Sequence, residues 1–411
     1  MPLSVAFDVV VVGAGPAGIA AACAAREAGR SVAVIDDNVQ PGGQIWRGGA
    51  RTQQAARWLE RFARTHPKVF TQTRMIEAPA PGVMLADAPD RAIEFRYGKV
   101  ILATGARERF LPFPGWTLPN VMGAGGLQAM VKGGLPVAGK RVIVAGTGPL
   151  LPAVASYVKK HGAEVPLIAE QAPWLRMAHF GLAAARDAGK LRQSFDLLRD
   201  LRGVRYMAGC WPIAAEGGGR LEVVVLRRGD RTWREPCDYL GCGYGLVPNL
   251  ELAVLLGCTL RDGAVVVDEW QQTQVPNAYC CGEPTGVGGV DQALIEGEIA
   301  GYAAAGRAGE ARRRFAARGK AHRFRAALAS AFALRDELRS LATPETIVCR
   351  CEDVPLGRIQ PHPNWRSAKL QTRCGMGPCQ SRICGPAVEF LCGWQAGSAR
   401  PPVYPARLDR L

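Results

Sequence analysis

Five cysteines lie close together in the C-terminal part of the 411-residue chain and could ligate a metal: Cys349, Cys351, Cys374, Cys379 and Cys384. Glycine and proline residues separate them, which is not typical of ordinary core packing. Structural zinc sites prefer two to four residues between paired ligands, so the C-x-C spacing is tight for zinc. A [2Fe–2S] cluster needs four thiolates, with paired thiols close enough to chelate one iron each. C-x-C followed by C-x4-C meets that need and predicts an iron–sulfur cluster, with zinc as the alternative.

The N-terminal region carries a glycine pattern typical of dinucleotide binding. The apolar strand Val9–Val12 runs directly into Gly13-Ala14-Gly15-Pro16-Ala17-Gly18, a G-x-G-x-x-G spacing, and an Ala-rich helix follows. The first glycine permits a tight turn, the second lets a pyrophosphate approach the backbone, and the third lets the helix pack on the strand. A second strand ends at Asp36, where a carboxylate accepts ribose hydroxyls. Together these elements predict a Rossmann unit that binds the ADP half of a dinucleotide.

A second copy of the pattern lies in the middle of the chain but departs from the first at two positions. Gly146 and Gly148 repeat the G-x-G, whereas Leu151 takes the place of the third glycine and is unfavourable for close packing under a pyrophosphate. Ala169 takes the expected position of the ribose-binding acid, and Glu170 follows it near the end of the strand. This second nucleotide site could bind NAD(P), bind a different nucleotide, or be a structural relic.

Composition and charge exclude several classes of protein. Hydrophobic residues make up 48% of the chain and charged residues 21%, which is enough for a sizeable core and excludes a disordered or fibrous protein. The net charge of +15 accompanies a general skew towards Arg, Ala and Gly, so we expect no nucleic-acid partner. The apolar runs 9–25 and 110–131 are interrupted by glycine and proline, so neither predicts a signal peptide or a transmembrane segment. Reduced cysteines and a cytoplasmic location are the resulting expectations.

Further motifs narrow the identity of the first nucleotide. One motif follows Asp36, the acid at the end of the second strand. Another is the Ala-Thr-Gly that ends a later strand, and a third precedes a helix far downstream. They resemble motifs of the two-dinucleotide-binding flavoproteins of the glutathione reductase type. The resemblance implies FAD as the first cofactor, held by the N-terminal glycine motif, Asp36 and the residues of these motifs. Those residues are Gly43, Gln44, Arg47, Thr104, Gly105, Gly282, Glu283 and Gly289. In that family an Asp occupies the position of Glu283, so this chain carries the hydrogen-bond-accepting carboxylate on a longer side chain.

The cysteine-rich segment resembles the [2Fe–2S] domain of bacterioferritin-associated ferredoxin. Both have C-x-C, a spacer, and then G-x-G-x-C-Q-x3-C-G-P. By that motif the ligands are Cys349, Cys351, Cys379 and Cys384. Cys374 has the same spacing to Cys379 and is the rival fourth ligand, although the motif favours Cys384.

The combination of both halves, with segments 106–116 and 246–251, resembles the α subunits of heteromeric amino- and imino-acid dehydrogenases. That family includes opine oxidase, hydrogen cyanide synthase and the heteromeric proline and D-hydroxyproline dehydrogenases. The resemblance covers nearly the whole chain and implies an oxidoreductase subunit that passes electrons onward. The substrate is then oxidised on an FAD-dependent β subunit of the D-amino-acid-oxidase type. A small ferredoxin-like γ subunit, a quinone or other electron acceptor, and a position at the periphery of the inner membrane are further implications.

Two other functions remain open at the level of sequence. One is a self-sufficient NAD(P)H-dependent FAD/[2Fe–2S] reductase, against which Leu151 argues. The other is a scaffold subunit with ATP or another adenine compound in place of FAD, because the motif recognises only the ADP half. An FMN at a subunit interface would leave no motif in this chain. No redox dithiol and no acid–base set stand out among the residues, so no catalytic residue is predicted.

The predicted fold class is α/β, a glutathione-reductase-like two-dinucleotide-binding (Rossmann-type) flavoprotein with a small C-terminal cysteine-rich [2Fe–2S] domain. Changes in pattern and composition along the chain predict the boundaries. The FAD-binding domain would comprise 1–118 and 249–305, with an NAD(P)-like Rossmann domain inserted at 119–248. A basic helical linker at 306–345 would lead to the cluster domain at 346–398, and 399–411 would be a tail.

Overall fold

The computed structural model describes residues 2–47, 52–184, 188–395 and 399–410. Strands and helices alternate along much of the chain, as expected for an α/β protein. The strands are β1 (Leu3–Val12), β2 (Val32–Ile35), β3 (Lys68–Phe70), β4 (Arg74–Ala80), β5 (Val83–Asp87), β6 (Ala92–Leu102), β7 (Ala106–Glu108), β8 (Val121–Gly123), β9 (Val142–Thr147), β10 (Leu167–Glu170), β11 (Arg205–Ala208), β12 (Cys210–Glu216), β13 (Val223–Arg228), β14 (Arg231–Pro236), β15 (Tyr239–Tyr244), β16 (Leu246–Pro248), β17 (Leu260–Arg261), β18 (Ala264–Val265), β19 (Ala278–Cys280), β20 (Ile347–Cys349) and β21 (Val354–Pro355).

The helices lie between these strands. They are α1 (Pro16–Glu27), α2 (Gln53–Thr65), α3 (Ala124–Lys132), α4 (Leu150–Lys160), α5 (Trp174–Ala184), α6 (Ala188–Asp200), α7 (Glu251–Leu255), α8 (Val290–Ala304), α9 (Ala308–Arg312), α10 (Phe315–Ala331), α11 (Leu356–Ile359), α12 (Trp365–Thr372) and α13 (Cys384–Cys392). Short 3-10 helices occupy Glu283–Thr285, Asp336–Ser340 and Leu408–Arg410. None of the described helices has both the length and the apolar composition needed to cross a membrane.

The chain forms two compact units. Unit 1 consists of Met1–Arg107, Val247–Arg325 and Ser398–Leu411, and unit 2 consists of Glu108–Leu246 and Ala326–Gly397. Of the predicted helical linker 306–345, α9 and most of α10 belong to unit 1 and the rest belongs to unit 2. The cysteine-rich segment shares unit 2 with the second Rossmann-like sheet, whereas the tail packs in unit 1, where Val403 is buried and its backbone N–H donates to Ile76.

Unit 1 is built on a sheet with the strand order β3-β2-β1-β6-β5-β4, and β19 also pairs with β6. Strands β2, β1, β6 and β19 run parallel, and β4 and β5 add an antiparallel edge. Val9–Val12 is fully buried because both faces of the sheet are covered. Val9 and Val11 pack toward α1, and Val10 and Val12 pack on the opposite face. This arrangement places the G-x-G-x-x-G loop at the carboxyl ends of the parallel strands.

A close contact between α1 and α8 joins the N-terminal and downstream parts of unit 1. A Cβ atom added to Gly297 would lie 2.2 Å from the Ala17 carbonyl oxygen, and one added to Gly301 would lie 2.3 Å from that of Ala21. The two helix backbones therefore approach more closely than any side chain at these glycines would permit. The contact fixes the loop that precedes α8 beside the start of α1.

Unit 2 contains a parallel sheet with the order β11-β10-β9-β15-β8. Helices α3 and α4 cover one face, where Leu127, Leu151 and Val154 are buried. The antiparallel sheet β12-β13-β14 contributes to the core on the other face, together with Phe113 and Trp211. A smaller core lies around β20, α11, α12 and α13 and contains three of the five clustered cysteines.

The register of unit 2 corrects one sequence-based expectation. In the pairing of β9 with β10, Glu170 lies opposite Gly146, the first glycine of the second turn. In the pairing of β1 with β2, Asp36 comes at the same level as the first glycine of the N-terminal motif. Glu170, and not Ala169, therefore occupies the position of the acid. Glu170 is the last residue of β10, and Val165 and Pro166 precede this strand in an irregular segment.

The α1–α8 contact yields a stability prediction. Gly301→Ala should lower the free energy of unfolding of unit 1 by about 1–3 kcal/mol, because the new methyl group collides with the Ala21 carbonyl. Gly319→Ala is the matched control, since it places the same residue in mid-α10 with only the end of the Arg323 side chain nearby, 3.9 Å away. Helix propensity should make that control neutral or stabilising. Thermal and urea unfolding would measure both, and equal effects would contradict the proposed close packing.

Candidate cofactor and metal sites

The glycines of the first motif have distinct steric roles. Gly13 has φ +106°, and a Cβ atom there would lie 2.2 Å from the Ala103 carbonyl oxygen. A Cβ atom at Gly18 would lie 1.8 Å from the Gly13 carbonyl oxygen, so this glycine sets the approach of helix to strand. At Gly15 the nearest atom is the Cα of Gly43 at 4.0 Å, which leaves the backbone accessible. These are the three roles that a pyrophosphate-binding turn requires.

Asp36 lies at the end of β2 and is buried beside this turn. Its carboxylate accepts hydrogen bonds from the backbone N–H of Ala14 (2.5 Å) and from the backbone and side-chain nitrogens of Asn38 (2.8 and 2.7 Å). The Arg47 guanidinium donates in turn to the Asn38 side-chain oxygen at 2.6 Å. The predicted residues Asp36 and Arg47 are therefore joined through Asn38, which the sequence did not single out.

The segment around Gly43 packs directly on the glycine turn. The Gly42 N–H donates to the Ala14 carbonyl at 2.8 Å, and a Cβ atom at Gly43 would lie 2.9 Å from the Gly15 Cα. Gln44 follows as an exposed residue. Gly43 therefore lies beside Gly15, and the binding of a nucleotide by Gly43 and Gln44 stays a prediction.

Thr104 and Gly105 meet a downstream residue that the sequence did not identify as functional. The Thr104 hydroxyl donates to the Asn249 carbonyl at 2.7 Å, and the Asn249 side chain donates to the Thr104 carbonyl at 2.8 Å. The Asn249 backbone N–H also donates to the Gly105 carbonyl at 3.0 Å. Asn249 therefore fixes the turn after β6 at the carboxyl edge of the sheet.

The loop between β19 and α8 is held by a buried carboxylate, Glu296. Its side-chain oxygens accept from the Gly282 N–H (2.9 Å) and the Thr285 hydroxyl (2.7 Å), and one of them lies 2.8 Å from His322 Nε2. A Cβ atom at Gly282 would approach the Ala17 methyl group to 2.7 Å, so the loop rests on the start of α1. No sequence pattern marks Glu296, since one acid in a helix has no distinguishing spacing.

Glu283 extends from this loop toward the N-terminus of α8. One carboxylate oxygen accepts from the Gly289 N–H at 3.1 Å, whereas the other is buried without a hydrogen-bond partner. Burial raises the pKa of Glu283 to about 7, and hydrogen bonds from the Gly288 and Gly289 N–H groups oppose that rise. The Gln292 side-chain oxygen is also buried without a partner. Since buried acceptors are normally paired, these two oxygens fit a ligand that brings hydroxyl or N–H groups.

Glu170 occupies the acid position of the second Rossmann unit and is engaged with its own glycine turn. Its carboxylate accepts from the Thr147 hydroxyl, the Gly148 N–H and the Ala172 N–H, each at 2.8 Å. Glu170 is completely buried, and burial raises its pKa to about 7. Gly146 has φ +129° and Gly148 has φ +96°, so both glycines are needed for the backbone of the turn.

The five clustered cysteines come together in unit 2. Cys349, Cys374 and Cys384 are buried, and their sulfur atoms lie within 4.8 Å of one another, a spacing that could hold a metal ion. The Cys379 thiol contacts those of Cys384 and Cys351. The Gly375 N–H also points at the Cys349 sulfur at 3.4 Å. Cys384 therefore contacts three other thiols and Cys374 contacts two.

The remaining thiols, apart from half-buried Cys392, lie in cores and show no sign of reactivity. Burial raises the pKa of each, which favours the inert thiol over the nucleophilic thiolate. They are Cys23, Cys210, Cys237, Cys242, Cys258, Cys280 and Cys281.

Comparison with known proteins identifies the family to which the chain belongs. Residues 7–309 match the family model described as pyridine nucleotide-disulphide oxidoreductase. The hydrogen cyanide synthase subunit HcnB of Pseudomonas aeruginosa is 32% identical over 91% of this chain and 90% of its own length. An opine oxidase subunit of Rhizobium meliloti (strain 1021) is 32% identical over 98% of both chains.

Solved structures confirm the fold class. L-proline dehydrogenase from P. horikoshii superposes with a TM-score of 0.71 at 20% identity, over 100% of this chain and 80% of the other. Thioredoxin reductase from T. acidophilum superposes with a TM-score of 0.58 at 21% identity, over 73% of this chain and 98% of the other. The chain therefore belongs to the pyridine nucleotide-disulphide oxidoreductase family and, within it, to the group of oxidoreductase subunits that includes HcnB and the opine oxidase subunit.

Proposed function

We propose that this chain is the electron-transferring FAD/[2Fe–2S] α subunit of a heteromeric dehydrogenase or oxidase. Its donor would be an amino or imino acid of the opine, proline, hydroxyproline or glycine type, oxidised on a partner β subunit. The observation that carries the proposal is that one chain combines a turn of dinucleotide-binding geometry with a group of five thiols, each of which contacts at least one other thiol of the group. The relatives are named as subunits of cyanide synthase and opine oxidase, which supports a heteromeric assembly.

In unit 1 the residues present fit FAD. The accessible backbone at Gly15 and the N-terminus of α1 would hold the pyrophosphate, and Asp36 would hold the adenosine ribose. The unpaired Glu283 oxygen would accept a hydrogen bond from a hydroxyl of the ribityl chain, while the other oxygen accepts from the Gly289 N–H at the start of α8. When bound, FAD supplies one- and two-electron redox chemistry. The protein's part is to fix the cofactor's position and to tune its environment.

In unit 2 the thiols fit a [2Fe–2S] cluster held by Cys349, Cys351, Cys379 and Cys384. The contacts of the Cys384 thiol with those of Cys349, Cys374 and Cys379 support its assignment as a ligand. The rival, Cys374, contacts Cys349 and Cys384. The N–H of Gly375 directed at the Cys349 sulfur suits a thiolate ligand, because hydrogen bonds to sulfur stabilise its negative charge.

The histidines support the assignment of substrate chemistry to another subunit. His161 contacts the Tyr157 carbonyl at 2.7 Å, His362 contacts the Ser367 hydroxyl at 3.2 Å, and His322 pairs with Glu296. Each of these rings is engaged in local structure, and His66 ends α2 in a left-handed conformation. A relay subunit needs neighbouring redox centres more than a general base.

The proposed partners follow from this division of labour. A β subunit of the D-amino-acid-oxidase type would oxidise the substrate, and a ferredoxin-like γ subunit could complete the complex. A quinone or another acceptor would receive the electrons, in the cytoplasm or at the inner membrane. An FMN bound between the subunits would add one more redox centre to this electron-transfer path. ATP at the Asp36 site is the competing occupant, since the glycine turn and Asp36 contact only the ADP half.

The function is tested on the complex of this chain with its natural β subunit. Anaerobic reduction of a dye by opines, L-proline, D-hydroxyproline and glycine should identify one class of donor. Omitting this chain should abolish electron delivery to the dye while substrate still reduces the β-subunit flavin. If none of these donors reduces the dye, the proposal fails.

Asp36→Asn should weaken FAD binding about ten- to a hundredfold. It removes the charge that accepts hydrogen bonds from the glycine turn and the ribose, and such charged hydrogen bonds contribute about 1.5–3 kcal/mol. Asp37→Asn is the matched control, because the neighbouring Asp37 is exposed and pairs with Arg74 at 3.3 Å. Flavin titration of the apoprotein would measure both. Equal affinities in the two variants would show that Asp36 does not hold the cofactor.

Substitutions of single cysteines should separate the two candidates for the fourth cluster ligand. Cys384→Ser should reduce iron and acid-labile sulfide to a small fraction of the wild-type content, whereas Cys374→Ser should retain both. Cys392→Ser controls for loss of a thiol outside the group, because Cys392 lies at the far end of α13. Iron and sulfide assays with electron paramagnetic resonance of the reduced protein would decide. The opposite pattern would assign Cys374 in place of Cys384.

A further inference from the structure

The carboxyl edge of the parallel sheet in unit 2 is the place where a Rossmann unit binds its dinucleotide. Ligands of such sheets lie between the glycine turn after the first strand and the acid at the end of the second. Here those features are the Gly146–Gly148 turn after β9 and Glu170 at the end of β10. The polar groups at this edge are engaged with the protein itself.

The next residue, Gln171, bridges the glycine turn to a distant part of the chain. Its side-chain nitrogen donates to the Thr147 hydroxyl at 2.9 Å and to the Ala333 carbonyl at 3.2 Å. Its side-chain oxygen accepts from the Arg335 backbone N–H at 3.3 Å. Gln171 is completely buried. Residues 333–335, which we call the strap, therefore lie against the edge that a nicotinamide dinucleotide would need.

The strap is fixed on both sides of these hydrogen bonds. Phe332, just before it, packs edge-on against Phe180 with ring centroids 5.3 Å apart. Leu334 packs on the core beneath β12–β14, and Leu338 just beyond is completely buried there. The Arg335 guanidinium lies 5.0 Å from the centre of the Trp211 ring and pairs with Glu337 at 2.6 Å. These contacts pack the strap and its neighbours against unit 2 on both sides of the Gln171 hydrogen bonds.

The chain continues from the strap to the cysteine group. Leu341 is buried in the same core, and the Trp116 indole N–H donates to the Ile347 carbonyl at 2.6 Å. Ile347 begins β20, which ends at Cys349. The strap thus connects the carboxyl edge of this sheet to the N-terminal side of the cysteine-rich segment.

The start of α4 is also poorly suited to bind phosphates. Pro149 and Pro152 have no N–H, and the Leu151 N–H donates to the Gly148 carbonyl at 3.1 Å. The Gly148 N–H is taken by Glu170. An anion at this helix would therefore find few of the donors that a helix N-terminus normally offers.

We propose that the second dinucleotide edge is closed by the strap and serves to anchor the cysteine-rich segment, so that NAD(P)H is not a substrate of this chain. Glu170 accepts a hydrogen bond from its own glycine turn, as Asp36 does in unit 1, and Gln171, the next residue, directs its side chain to the strap. The inference stands on contacts within unit 2 and does not depend on the proposed relay function.

Ligand binding and limited proteolysis on the purified full-length chain test the proposal. NADH and NADPH should show no binding by calorimetry at concentrations up to about 1 mM. Trypsin should cut the wild-type chain slowly after Arg335 and Arg339. Gln171→Ala removes both hydrogen bonds to the strap, and cleavage at these sites should become about tenfold faster.

Gln128→Ala, on α3 of the same unit, is the matched control and should leave the cleavage rate unchanged. Leu334→Ser is a second variant that loosens the strap without touching β10, in case Gln171→Ala fails to fold. Saturable NADH or NADPH binding by the wild-type chain would overturn the proposal. It would also be overturned if both strap variants, folded by circular dichroism, were cut no faster than the control. Neither NAD(P)H binding nor tryptic cleavage depends on oxidation of the electron donor. A negative result in these two measurements is therefore distinguishable from failure of the proposed function.

Discussion

The close approach of α1 and α8 is the constraint on which the first cofactor site depends. Gly297 and Gly301 let the backbone of α8 rest on Ala17 and Ala21, and no larger residue fits at that separation. Because α8 is fixed there, the loop before it rests with Gly282 on Ala17 at the start of α1, and Glu283 is the next residue of that loop. Glu296 completes the arrangement from within α8 by holding the Gly282 N–H and the Thr285 hydroxyl. Packing of small residues thus joins two parts of the sequence into one cradle.

The two Rossmann units start from the same local geometry and differ in what their polar groups face. In unit 1 an oxygen of Glu283 and one of Gln292 are buried without partners, as expected where a ligand completes the hydrogen bonding. The two acids do not differ in this respect, because Asp36 and Glu170 both accept a hydrogen bond from their own glycine turn. In unit 2 the residue after the acid, Gln171, holds the strap. The contrast is consistent with one unit that holds a cofactor and another that supports the cysteine group.

Sequence predicted the parts of this structure that are encoded locally. The G-x-G-x-x-G spacing, the helix after it and Asp36 at the end of β2 all follow from short-range pattern, and the comparisons confirm the α/β family fold. The position of Glu170 was missed because it depends on strand register, and a shift of one residue exchanges it with Ala169. Asn249, Glu296 and the strap were also missed. Their contacts join residues far apart in sequence, and in the strap the partners are backbone groups that leave no mark on composition.

The most direct test of the account is a quantitative cofactor analysis of the isolated chain under anaerobic conditions. Flavin, iron, zinc and acid-labile sulfide should be assayed on the sample used for its visible spectrum before and after reduction. The account predicts about one FAD, two irons and two sulfides per chain, with flavin and cluster absorption that both respond to a reductant. A chain that contains zinc in place of iron, or ATP in place of FAD, would contradict a relay with two redox centres.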